Sequence, residues 1–251
     1  MDKTSGQPGS AAAGTLRRAA LPKNALPETA LPRAITGWIR SGTLDAQLAA
    51  LASIMIESGL PLVVAARSDE DAGGRSGREA RDALGTILLT CALPPADRPK
   101  TAAPMTVDAG TLEAVLARMP LLSLEAADET GARVALVVVL GRDERSDAWR
   151  VQAAHLLRPP LRDGHGHLQR QGPAVLSTWD PSLQRFEHFW WAVLAELAVL
   201  IDRRAGDLDA AISDRTDLLA GLVAHRVEDP GAVRLAIEAA RVDAIANPKR
   251  H

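Results

Sequence analysis

The stretch Arg67-Ser68-Asp69-Glu70-Asp71-Ala72-Gly73-Gly74-Arg75-Ser76-Gly77-Arg78-Glu79 is where the residue types of this 251-residue chain come nearest to chemistry. Glycines let a backbone wrap closely round an anion, and a helix starting just beyond them would aim its unpaired N–H groups and positive dipole end at that anion. A complete phosphate-binding loop reads G-x-x-x-x-G-K-[ST]: amides cradle the phosphates, lysine neutralises them and the hydroxyl ligates magnesium. Two registers fit. Gly74-Arg75-Ser76 keeps the hydroxyl but puts Asp69 at the first glycine; Gly77-Arg78-Glu79 puts a carboxylate where the hydroxyl belongs. Both replace lysine with arginine, whose larger planar head is a poor substitute at a tight phosphate site. Asp69-Glu70-Asp71 also sets three negative charges beside a pocket meant for a polyanion. The same residues fit a solvated glycine-rich surface loop.

Other groupings offer less. Asp163-Gly164-His165-Gly166-His167, with His155 and His188 elsewhere, could give nitrogen ligands to zinc, but no cysteine stands nearby and a polar hairpin loop accounts for the same residues. No metal site is expected. Phe186, Phe189, Trp190 and Trp191 cluster in a chain with only 3% aromatics, which suits helix packing on strands or a partner surface. Arg150, Arg158, Arg162 and Arg170 lack interleaved stacking residues, so no nucleic-acid partner is expected. No serine or cysteine occupies a nucleophile elbow, and no catalytic residue is assigned. Cys91, the only cysteine, excludes an intrachain disulfide and suits a small core residue. A net charge of −2 supplies no global field toward nucleic acid or an anionic membrane. With no apolar signal region and no run fit to span a bilayer, the expected location is the cytoplasm.

These residues need elements to position them. Residues 1–33, with Ala-Leu-Pro at 20–22, 25–27 and 30–32, read as an extended linker without fixed structure. Leu44, Leu48, Leu51, Ile54 and Met55 predict one face of a helix capped by Thr43 and stopped at Gly59. Leu62 to Ala66 reads as a strand buried on both faces, followed by the glycine-rich loop and a helix from about Arg78 to Ala92 that Pro94-Pro95 stops. A short helix over Thr111–Met119 is expected next. Strands are expected at Arg133–Leu140, Trp149–Leu157 and Pro173–Trp179, the last ones forming a β-meander. Three helices should follow: Phe186 to Arg203, Leu208 to His225 capped by Asp207, and Pro230 to Ala244 capped by Asp229, the last two as a hairpin. The domain division is a linker over 1–33, an α/β domain over 34–180 and a helical region over 181–251.

Four segments carry a family resemblance. Ile39-Arg40-Ser41-Gly42-Thr43-Leu44-Asp45-Ala46-Gln47-Leu48-Ala49, then a helix, then Gly59-Leu60-Pro61-Leu62-Val63-Val64-Ala65, resembles the approach to the phosphate loop in the secretion and pilus-assembly ATPases of type II/IV secretion systems. Leu93-Pro94-Pro95 looks like their helix stop. Thr106-Val107-Asp108-Ala109-Gly110-Thr111 resembles their histidine box, with Asp108 in the histidine position, and Arg133 to Leu157 resembles the strands that close their core. The resemblance implies a shortened P-loop-NTPase-like (RecA-like) α/β core, with ATP and Mg as the cofactors of intact members. It also implies partners in a secretion or pilus-type system and the option of a homo-oligomer. Only residues 96–105 separate Pro95 from Thr106, where an intact member holds a catalytic acidic segment and a Walker B strand. The expectation is therefore a degenerate, non-hydrolysing interaction or scaffold subunit whose loop remnant is Gly73, Gly74, Arg75, Ser76, Gly77 and Arg78. The alternative is a nucleotide-binding protein that uses Arg75 or Arg78 in place of lysine.

Overall fold

A computed structural model describes residues 31–67, 77–92, 104–118, 135–159, 161–169 and 171–246. These build a mixed α/β fold with seven α-helices and a six-stranded mixed sheet among the described residues. The sheet runs β2-β1-β3-β4-β7-β8, from β1 (Leu62–Ala66), β2 (Met105–Asp108), β3 (Ala135–Arg142), β4 (Trp149–Leu157), β7 (Ala174–Asp180) and β8 (Arg185–His188). β1 is parallel to both β2 and β3, and every later pairing is antiparallel. The meander thus starts at β3, with a two-strand hairpin, β5 (Leu161–Arg162) and β6 (Leu168–Gln169), inserted before β7.

Alternation along the strands divides the core in two. Leu62, Val64, Ala66, Leu136, Val138 and Leu140 face one layer, which also holds the buried side chains of α1 (Ile35–Arg40), α2 (Ala46–Glu57), α3 (Gly77–Cys91), α5 (Leu194–Leu200), α6 (Ala205–Ala224) and α7 (Pro230–Ala246). Val63, Ala65, Val137 and Val139 face the other, where α4 (Leu112–Arg118) supplies Val115. The continuous apolar runs of β1 and β3 follow from this, because a strand covered on both faces has no solvent side to alternate with.

Several expectations change. α2 is capped by Asp45, whose Oδ1 accepts from Leu48 N–H at 2.8 Å, while the carbonyl of Thr43 accepts from Val151 N–H at 2.7 Å. Ten of the twelve α2 residues are buried rather than one face, because α6 covers the side turned from the sheet. A helix that is apolar all round is a core helix. Its one acid, Glu57, meets Arg215 of α6 at 2.8 Å, both nearly buried.

The helix expected from Phe186 is instead strand β8, a 3-10 turn over Trp190–Val193 and then α5. Phe186 lies in register with Trp179, its ring 5.0 Å away, so cross-strand packing overrides the local helical spacing. Arg204, not Asp207, stands at the N-cap of α6, and it makes no side-chain cap bond. Asp207 sits in the first turn, where its charge still favours the helix dipole. Asp229 Oδ1 does accept from Ala232 N–H at 2.7 Å at the start of α7. The linker reading falls on residues outside those described, apart from Leu31, Pro32 and Arg33, and there the Pro32 carbonyl accepts the Trp38 indole N–H at 2.8 Å. No helix among the described residues is long and apolar enough to cross a membrane.

Candidate functional site

α3 leaves β1 into one core layer and α4 leaves β2 into the other. Ligands of open α/β sheets collect at the carboxyl ends of strands whose connections diverge in this way. Here that edge is made by Ala66-Arg67 at the end of β1, Asp108 at the end of β2 and Arg142-Asp143 at the end of β3.

Gly77, the first residue of α3, presses on this edge. A Cβ there would sit 1.9 Å from the Arg67 carbonyl oxygen and 3.2 Å from the Trp149 ring, so only glycine lets the helix begin against the end of β1. Arg78 and Glu79 follow in the first turn, both exposed. Gly73, Gly74, Arg75, Ser76 and the acidic triplet lie outside the described residues, so Gly77 and Arg78 are the part of the predicted loop that can be placed.

Asp108 is exposed and level with Ala66 in the parallel register, and Ala109 N–H donates to the Ala66 carbonyl at 3.2 Å. Met105–Asp108 therefore forms a strand that ends in an acid beside β1. No strand was expected here, because four residues with only Val107 buried leave almost no apolar signal.

Beyond β3, the Arg142 guanidinium lies 4.7 Å over the Trp149 ring. Asp143 is buried and accepts from Ser146 Oγ at 2.6 Å, which with the Arg145 amide holds its carboxyl below the usual range. It serves the β3–β4 turn.

A second polar row went unnoticed in the sequence. Asp45 Oδ2 meets His188 Nε2 at 2.7 Å, and His188 stands opposite Ser177 in the β7–β8 register. Ser177 Oγ and His188 Nδ1 are both buried without hydrogen-bond partners. The order serine, histidine, aspartate resembles a nucleophile relay, but Ser177 has 0% exposure and no substrate reaches it. The row clamps β8 to the start of α2. Asp45 and His188 lie far apart in sequence, so only the fold reveals the pair.

His165 and His167 sit in the β5–β6 turn, where their backbone amides both donate to Asp163 Oδ1 at 2.9 Å. Among the described residues no three His, Cys, Asp or Glu side chains group as metal ligands. Cys91 is buried, and burial pushes its thiol up to about 12, which makes it chemically inert. Fold and edge together define a mixed α/β protein with a strand, loop and helix unit at the carboxyl end of its parallel strands. No protein-family model matches the chain, and neither does any curated protein.

Proposed function

We propose that the chain is a degenerate, non-hydrolysing relative of the secretion and pilus-assembly ATPases, working in the cytoplasm as an interaction or scaffold subunit. The observation that carries this reading is the close seat of Gly77 on the Arg67 carbonyl. A helix that starts this close to the end of β1 supports a strand, loop and helix frame of the kind a shortened RecA-like core would need, while the next residue is Arg78 rather than the lysine that phosphoryl transfer uses. Trp191, 67% exposed on the turn before α5, is a residue type that anchors protein interfaces. Purified protein with magnesium and ATP should show no turnover; hydrolysis that Arg78→Ala abolishes overturns the reading.

One observation favours a second reading, a nucleotide-binding protein with arginine in place of lysine. Asp108 ends the strand beside β1, a position from which a carboxylate can reach a magnesium ion on bound phosphates. A ligand held only by the folded state at 100 times its Kd adds about 2.7 kcal/mol of stability. Thermal melts with rising magnesium ATP should then climb in the natural protein and stay flat in Asp108→Asn. A flat curve in the natural protein up to millimolar ATP removes this option.

A further inference from the structure

Where β7 stops pairing with β4, the α1–α2 connection takes its place: Val151 N–H of β4 is satisfied by Thr43 O rather than by a strand. An open cleft of about 390 Å³ lies there. Its walls join three distant parts of the chain: Leu44 and Asp45 before α2, Arg150 on β4, and Trp179, Arg185 and Phe186 on β7 and β8. None of these belongs to the β1–α3 edge.

We propose that this cleft binds a small monocarboxylate with an aromatic or apolar body. Arg150 is the anchor. Its guanidinium lies 5.4 Å over the Trp179 ring, and Nη1 donates to the carbonyls of Ser41 at 2.8 Å and Trp149 at 3.1 Å. Both acceptors are neutral, and among the described residues no carboxylate pairs with Arg150. Nε is buried without a partner, as is the Trp179 indole N–H beside it. Those two groups are closed off from the cleft, but Nη2 makes no hydrogen bond among the described residues, and the Asp143 carboxylate feels this cation only through its field. A half-buried cation with a donor to spare favours an acceptor that carries negative charge. Arg185 adds a second cation, 65% exposed, whose ion pair among the described residues is a 3.6 Å contact to Glu187.

The other wall sets the ligand's charge and shape. Both Asp45 oxygens are used, Oδ1 by the Leu48 amide and Oδ2 by His188, so its charge is fixed at the mouth and the amide end of α2 is already capped. Repulsion from that carboxylate is twice as large for a phosphate dianion as for a monoanion at the same distance. A carboxylate oxygen is also a charged acceptor for the Nη2 donors, which the Ser41 and Trp149 carbonyls leave unused. Phe186 and Trp179, both partly exposed, leave an apolar surface against which a ring or short hydrocarbon loses water.

The test titrates the full chain with phenylacetate, followed by tryptophan fluorescence and calorimetry, with inorganic phosphate and benzyl alcohol as comparison probes. The expected result is saturable binding of phenylacetate with Kd at or below about 1 mM, and none of phosphate or benzyl alcohol at that concentration. Arg150→Lys, which keeps the charge but loses the Nη2 donors and the planar stack on Trp179, and Arg185→Gln on the exposed lip should each weaken binding by about tenfold. Arg185→Gln decides the outcome if Arg150→Lys fails to fold. No saturable signal from phenylacetate, titration curves that neither variant shifts, or equal binding of phosphate would each overturn the assignment.

Discussion

His155 sits on the side of the sheet that α4 covers, level with Val137 on β3 and Val175 on β7, its Nδ1 buried without a partner. Burial holds its pKa below the ordinary 6.5, although the Glu113 carboxylate on α4 pulls the other way. The folded chain therefore prefers the neutral imidazole, while the unfolded chain takes up a proton near 6.5. As pH falls through that value the unfolded state binds more protons, and stability must fall with it. Urea midpoints taken from about pH 7.5 down to about pH 5 should drop more steeply for the natural protein than for His155→Gln. Parallel curves would show that the ring titrates alike in both states. At this scale the sequence spoke clearly only where chemistry and backbone coincide. Gly77, Arg78 and Asp108 could be picked out by motif, and of these Gly77 lies against the end of β1 and Asp108 ends the strand beside it, whereas Arg150 and Trp179 carry no motif at all.

Among the elements, β1 and β3 were legible because continuous apolar runs have few alternatives in a chain with clear turn signals, and β4 as a strand-length segment between polar loops. β8 was not, since Phe186, Phe189 and Trp190 fall at helical spacing and the deciding contact, Phe186 on Trp179, is tertiary. The N-cap of α2 failed for a related reason. Thr43 and Asp45 are both good caps, and the choice was made by β4, whose Val151 amide claims the Thr43 carbonyl. Asp45 then does two jobs, capping α2 and gripping His188. Asp45→Ala should lose both, costing about 1–2 kcal/mol for the cap alone and leaving the half-buried His188 ring without its acceptor. Asp45→Asn keeps a capping oxygen and should cost clearly less. Chemical denaturation of both variants checks this, and an equal loss in the two would mean that the pair with His188, not the cap, carries the effect.

In the whole molecule, α2 lies between the sheet and α6, so the carboxyl-terminal hairpin is part of the main core rather than an appendage. Leu208, Ile212 and Leu219 of α6 and Val233 and Ile237 of α7 are all buried in the same cluster as β1 and β3. The polar tie across this layer is Glu57 with Arg215, whose guanidinium also donates to Ser53 Oγ at 3.1 Å. Side-chain exposure of 10% and 9% puts the pair largely out of water. Removing one member of such a pair strands the other charge in the core and costs about 3–5 kcal/mol, whereas replacing both with apolar groups of similar size is near neutral. Arg215→Met should therefore destabilise strongly, and adding Glu57→Leu should recover most of the loss. Ser53 Oγ stays satisfied in the double variant because it also donates to the Ala50 carbonyl at 2.9 Å. Tryptophan fluorescence and helical circular dichroism should lose signal together in each protein. If α6 and α7 melted first while the tryptophan signal held, the hairpin would be a separate unit and the sheet, with its loop edge and its cleft, would stand without it.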